Sequence, residues 1–190
     1  METSCALSAL GDPDDVLAER ARGGCRASFA ALVHRHQAYV FRLALRVSGH
    51  HHDAEDISQE TFLLAYRSIG SFRGTSHFRT WMCQIALNAA LMRKRATRRR
   101  PTVALDDIDM PSTGDEADEL LERRRLSRHA FDVLERLDES QRVAFVLCEL
   151  EGLPSAEAAG MVCTSTAAVR ERAYRARRTL RACLEKDLES

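Results

Sequence analysis

The chain has 190 residues, 45% of them apolar, which suffices for one large domain or two small ones. Its 28 basic and 28 acidic residues cancel, so no overall field draws it to nucleic acid. No apolar run approaches a membrane-spanning length and the first residues lack the apolar core of a signal peptide, so the reading excludes membrane insertion and expects a cytoplasmic protein.

In chain order, Asp12-Pro13 predicts a helix start with Asp12 as N-cap, running to about Arg22 and ending at Gly23-Gly24. The next helix carries one apolar stripe, Phe29, Leu32, Val33, His36, Val40, Leu43 and Val47, and Gly49 closes it. A third helix is expected over 53–69, entered at Asp53. Its first turns (53–60) hold four acids and no base, which suits the helix dipole. Residues 70–76, with two glycines and two serines, predict a loop. A long helix over 77–100 follows, its apolar positions expected at Phe78, Trp81, Ile85, Ala89 and Met92. Six cations and no acid then fill 93–100. That end suits a phosphate backbone, although a solvated charged helix end has the same composition.

Residues 101–119 lose periodicity and hold two prolines, one glycine and seven acids, which predicts a flexible acidic linker. About 20 residues extend at most roughly 60 Å, which is about 18 base-pair steps of duplex. Helical periodicity resumes at Leu120 with breaks near Asp138 and Gly152. No strand pattern occurs, so the expectation is all-α: two small helical domains, 12–100 and 120–186, joined by the linker.

Residues 153–182 have the layout of a helix-turn-helix. A short helix over about 155–162 buries Ala158, Met161 and Val162, a polar break follows, and Thr164 or Ser165 caps the next helix. Val169, Ala173, Ala176 and Leu180 share one face of that helix. The opposite side offers Arg170, Glu171, Tyr174, Arg175 and Arg178, with the small Thr166, Ala167 and Ala168 at the start to allow close approach to base edges. Arg170 and Arg175 have the geometry to read guanine by paired hydrogen bonds. A helical hairpin with a solvated cationic face is the alternative. All basic residues except Lys94 and Lys186 are Arg, which fits phosphate and guanine contacts and equally fits a GC-rich coding bias. The six cysteines show no paired spacing and read as buried free thiols. His34, His36, His50, His51 and His52 show no ligand spacing, so no metal or other cofactor is expected.

Three segments together resemble bacterial RNA polymerase sigma factors of the extracytoplasmic-function (sigma-70 family, group 4) type. DAEDISQETFLLAYRSI (53–69) is similar to the segment that docks on the polymerase β′ clamp helices. FRGTSHFRTWMCQIALNAALMRKRATRRR (72–100) is similar to the segment that melts and reads the −10 element. Residues 134–180 align without gaps to the segment that reads the −35 element. The resemblance implies sigma region 2 and region 4 domains with core polymerase (β′ clamp, β flap) and promoter DNA as partners. It also implies control by an anti-sigma factor. It puts Asp53, Asp56, Gln59 and Glu60 at the clamp helices, and Phe72, Arg73 and His77 in a loop holding a flipped base. Trp81 falls at the bubble edge, where a core role is the other option. Asn88 falls at the nontemplate strand, and Arg93, Lys94 and Arg95 at phosphates. Thr166, Arg170, Glu171, Tyr174, Arg175 and Arg178 fall at the −35 element. It implies no catalytic residue and no cofactor, because melting is driven by binding the separated strand.

Pro154 departs from the family pattern where Ser or Thr usually caps, Ala158 and Gly160 stand where larger apolar residues are usual, and Glu171 is acidic at a reading position. The expected consequences are an ill-defined helix start at Pro154 and a loosely packed second domain. Two other function classes compete. A helix-turn-helix regulator with an N-terminal sensing or dimerisation module would not need the acidic helix and Trp81–Asn88. A His/Cys metal-dependent hydrolase would need convergent ligands.

Overall fold

A computed structural model describes residues 11–98 and 131–188, all helices and short connections with no strand among them. The chain divides into two compact units, one holding residues 52–98 and the preceding helices to Ser48, the other residues 131–188. The predicted linker and the first turns after Leu120 lie outside the described residues.

In the first unit, α1 (Asp14–Arg22) starts one residue later than expected, with Pro13 as N-cap and its carbonyl accepting from Leu17 N at 3.1 Å. Asp12 does not cap, because its carboxylate is engaged by Arg20 at 2.6 Å. The chain turns at Gly24, whose φ of +91° is open to glycine without strain. Helix α2 (Arg26–Ser48) buries Leu32, His36, Val40, Leu43 and Val47 of the predicted stripe, while Phe29 and Val33 at its edge are half-buried; each such leucine taken from water is worth about 1.5–3 kcal/mol. Asp14 ties α1 to α2 by accepting from Arg35 at 2.5 Å and lying 2.8 Å from His36 Nε2. His36 is therefore a core residue held by a carboxylate and not a ligand candidate.

Helix α3 (His51–Ser68) begins two residues before Asp53 and packs through Ala54, Ile57, Thr61 and Ala65. The buried Thr61 hydroxyl is satisfied by donating to the Ile57 carbonyl at 2.6 Å. Phe29 of α2 meets Tyr66 of α3 edge to face at 5.0 Å. A 3-10 turn (Ile69–Ser71) leads to a loop with Gly74 at φ +70°, and α4 (Phe78–Arg98) completes the unit.

The predicted stripe on α4 is rotated. Its buried positions are Phe78, Met82, Cys83, Ala86, Leu87, Ala89 and Ala90, while Met92 is 67% exposed. The helix touches α1 as well as α2, so a broad arc centred near Met82, Ala86 and Ala90 is covered instead of a single seam.

In the second unit, residues 131–135 are helical and Asp138 caps α5 (Glu139–Phe145), accepting from Ser140 N at 2.9 Å and Gln141 N at 3.1 Å. A π turn (Val146–Leu150) and Gly152 at φ +68° lead to α6 (Ser155–Met161), then α7 (Thr166–Leu188). Both α5 and α6 pack on α7. Leu134, Leu137 and Ala176 form a cluster joined by Phe145 and Leu180. Pro154 starts α6 cleanly: its carbonyl accepts from Ala158 N at 3.0 Å, with no side-chain cap. Ala158 is buried, but Gly160 faces solvent with nothing within 4 Å of where a Cβ would stand, so it marks no packing defect. Among the described residues the expectation of buried thiols fails for most cysteines: Cys83 is buried, Cys25, Cys148 and Cys183 are half-buried, and Cys163 is exposed, while Cys5 lies outside the described residues. Small helical units have too little interior to hide every cysteine.

Candidate nucleic-acid interface

The rotation of α4 decides what that helix presents outward. Residues 81, 85, 88, 92 and 95 follow the three-and-four spacing of one face. On it Trp81 is half-buried while Asn88, Met92 and Arg95 are exposed. The face first taken for core therefore carries three of the residues expected at DNA. Met92 joins them, an apolar side chain between Asn88 and Arg95 whose only sequence signal is its spacing from them.

The loop before α4 is anchored from beneath. Phe72 is 5% exposed and its ring packs at 88° to Phe78, with centroids 5.5 Å apart. Trp81 lies 5.3 Å from Phe72 and 5.5 Å from Phe78. Phe72 thus fixes the loop and offers no free face for stacking, whereas Arg73 and His77 are exposed around Gly74. Arg79 caps the Tyr39 ring of α2 at 4.2 Å, a cation–π contact that holds the start of α4.

The acidic end of α3 meets the basic end of α4. Arg93 donates from Nε to Asp53 Oδ1 at 2.6 Å and lies through Nη2 2.6 Å from Asp56 Oδ2. Desolvation lowers the Arg93 pKa, but the hydrogen bonds and fields of Asp53 and Asp56 outweigh it and hold the guanidinium charged. Gln59 and Glu60 are exposed on the next turn, Lys94 is half-buried, and Arg95 is exposed. His52 sits 3.9 Å from both Glu55 and Asp56.

In the second unit the turn between α6 and α7 is built as the residues suggested. Thr164 N donates to the Ala159 carbonyl at 3.0 Å, and Ser165, not Thr164, caps α7 by accepting from Ala168 N at 3.2 Å. Cys163 takes a left-handed φ of +53°, unusual for a residue with a side chain. Val162, expected in the core, is half-buried at the end of α6, where the chain turns away. Val169, Ala173 and Ala176 bury the inner face of α7. Arg170, Glu171, Tyr174, Arg175 and Arg178 are all exposed and share its outer face; Thr166 is half-buried at the start. Arg175 donates to Glu171 at 2.7 Å, one helical turn back. Arg136 and Gln141, which the sequence reading did not single out, line an open groove of about 530 Å³ together with Arg175 and Arg178. Arg136 extends the cationic surface beyond the recognition face, and Gln141 adds a neutral amide beside it.

Among curated proteins, the RNA polymerase sigma-E factor of Haemophilus influenzae, of the extracytoplasmic-function type, is 36% identical over 179 residues. The match covers 86% of this chain and 91% of the relative. This chain belongs to that family of sigma factors. The sigma-H factor of Pseudomonas aeruginosa is 32% identical over 184 residues, covering 92% of this chain and 95% of its own. The Sigma-70 region 2 family model matches residues 32–100, and the Sigma-70 region 4 family model matches 131–180. The solved structure of CnrH in complex with the cytosolic domain of CnrY superposes with a TM-score of 0.66 at 29% identity, covering 93% of this chain and 99% of that one.

A sigma factor of this family is a non-enzymatic initiation factor, which answers the hydrolase alternative. Among the described residues no helix is long and apolar enough to cross a membrane. None of them form a group of three or more His, Cys, Asp or Glu placed to hold a metal.

Proposed function

We propose that this sigma factor docks on core RNA polymerase through the α3 acidic end, opens the −10 element with α4, and reads the −35 element with α7. The observation that carries this reading is the order of parts on one chain. An acidic helix, an aromatic-anchored loop and a cationic helix form one unit, and a capped helix-turn-helix forms the other. A regulator with a sensing module would need neither the acidic helix nor the Trp81–Asn88–Arg95 face.

In this reading Asp53, Asp56, Gln59 and Glu60 meet the β′ clamp helices, and the second unit also meets the β flap. Arg73 and His77 line the loop that receives a flipped base, above Phe72. Trp81, Asn88, Lys94 and Arg95 follow the melted strand. Asn88 supplies an amide suited to a base edge, and the cations supply phosphate contacts. Thr166, Arg170, Glu171, Tyr174, Arg175 and Arg178 enter the −35 major groove, those nearest the start of α7 closest to base edges. The functional division is 12–100 and 120–186, with 101–119 as a flexible span. The factor works in the cytoplasm, where polymerase and DNA are. The sigma factor RpoE of Bartonella quintana, which shares this fold with a TM-score of 0.64, was solved in complex with the anti-sigma factor NepR, and that supports control of this chain by an anti-sigma protein.

The test is run-off transcription with core polymerase from the source organism. A transcript that depends on both the factor and a two-part promoter is expected. Absence of both core binding and transcript rejects the reading, and tight duplex binding without core would favour the regulator.

A further inference from the structure

The double ion pair at Arg93 joins two surfaces assigned to different partners. Asp53 and Asp56 stand one turn apart at the start of α3, on the acidic end assigned to polymerase. Arg93 comes from the α4 end assigned to phosphate, forty residues away in sequence from Asp53. One guanidinium spans both carboxylates, Nε on Asp53 and Nη2 on Asp56, each at 2.6 Å. All three side chains are only about a third exposed, at 29%, 37% and 36%.

We propose that Arg93 is a positioning residue of the polymerase-docking face and makes no contact with DNA phosphate. The proposal rests on the sigma-factor reading above. Two charges decide it. A phosphate approaching Arg93 meets two carboxylates first, and the three groups together carry a net charge of −1, so the site repels the backbone. Without Arg93, Asp53 and Asp56 are like charges at i, i+3 and push each other apart. With it, the planar fork fixes both carboxylates in one orientation, which an ammonium group does poorly because it is a single point of charge. The phosphate contacts of this helix then belong to Lys94 and Arg95, and the apparent six-cation run counts one cation too many.

The salt dependence of promoter binding separates the two roles, because each phosphate contact adds about 0.7–0.9 to the slope of log K against log[salt]. The full-length factor is assembled with core polymerase as wild type, Arg93→Gln, Arg93→Lys and Arg95→Gln. Affinity for core and the holoenzyme's salt slope on promoter DNA are measured for each. Arg93→Gln is expected to weaken core binding by roughly three- to fivefold, the scale of partly exposed ion pairs, and to leave the slope unchanged. Arg93→Lys should recover part of the core affinity. Arg95→Gln should lower the slope by about 0.7–0.9 with core affinity intact. Circular dichroism confirms that Arg93→Gln keeps its helices; if it does not, Arg93→Lys against wild type carries the comparison. A slope that falls with Arg93→Gln, with or without a loss of core affinity, overturns the proposal, and so does a variant unchanged in both. A wild-type factor that fails to bind core at all defeats the sigma-factor reading instead.

Discussion

Replacing Asp138 with Ala tests how the second unit supports its recognition helix. Asp138 Oδ1 accepts from Ser140 N at 2.9 Å, Gln141 N at 3.1 Å and the Ser140 hydroxyl at 2.7 Å. The substitution leaves two amides of the first turn of α5 without a protein partner, at a cost of about 1 kcal/mol. Helix α5 packs on α7, so that cost falls on the platform of the DNA-reading helix. Asp138→Asn keeps an acceptor oxygen and loses the charge–dipole part, about 0.3–1 kcal/mol, so it should fall between. The acidity of Asp138 adds a pH signature. Desolvation disfavours its charge, but the Ser140 and Gln141 hydrogen bonds and the nearby Arg172 prevail, and the carboxyl titrates below its ordinary value. A folded pKa below the unfolded value of about 3.9 means the stabilisation is complete above that pH. It is lost as pH falls through the folded value. Amide exchange of peptides covering residues 139–150, compared with wild type at each pH, reads the effect. About 1 kcal/mol corresponds to roughly fivefold faster exchange at pH 7, shrinking below pH 4. Unchanged exchange in Asp138→Ala, or an Asn variant as damaged as the Ala variant, refutes the capping argument.

Thiol labelling of the native protein should modify Cys163 first and Cys83 only on unfolding, because one is exposed and the other 1% exposed. Cys148 should lag at pH 8 and speed up as pH rises, since burial pushes its thiol pKa upward despite the Ser155 hydrogen bond; mass spectrometry of the labelled peptides decides. On promoter variants, Arg170→Ala should cost about 1–3 kcal/mol on the preferred −35 sequence and relax the choice at one base pair. Arg178, two turns further along α7, should on replacement by Ala weaken all −35 sequences alike, and equal loss of discrimination by both would refute that division of labour.

The sequence revealed periodicity and punctuation, and these survive in the structure wherever they rest on near neighbours, the α4 stripe and the Asp12 cap excepted. The α2 stripe, the turns at Gly24 and Gly152 and the capped helix-turn-helix rest on residues within four or five positions of one another. What it hid are arrangements set by distant neighbours. The arc of α4 that is buried depends on how many helices touch it, which the helix's own residues do not encode, and small side chains such as Ala86 and Ala90 give little apolar signal though they lie at its centre. Arg93 reads as one of six equivalent cations until Asp53 and Asp56 are seen beside it. His36 reads only as one position of the α2 apolar stripe, and nothing local shows that Asp14 and the Phe78 ring, 5.4 Å away, hold it there. Phe72 reads as part of the loop that holds a flipped base until its ring is found buried against Phe78.

These hidden arrangements sharpen the division of partners. With Asp53 and Asp56 engaged by Arg93, the outward side of α3 continues through Gln59 and Glu60 to Leu63 and Tyr66, which are 52% and 48% exposed. An exposed Leu and Tyr beside polar residues make a surface suited to a protein groove and poorly suited to a phosphate backbone, which offers little apolar area to cover them. The outward side of α4 combines a partly exposed Trp, an exposed amide and cations, and it suits an unstacked nucleic-acid strand. The two faces belong to neighbouring helices of one small unit. A single substitution that reorients either helix should therefore disturb polymerase docking and strand capture together, whereas exposed-residue changes such as Glu60→Ala and Asn88→Ala should separate them.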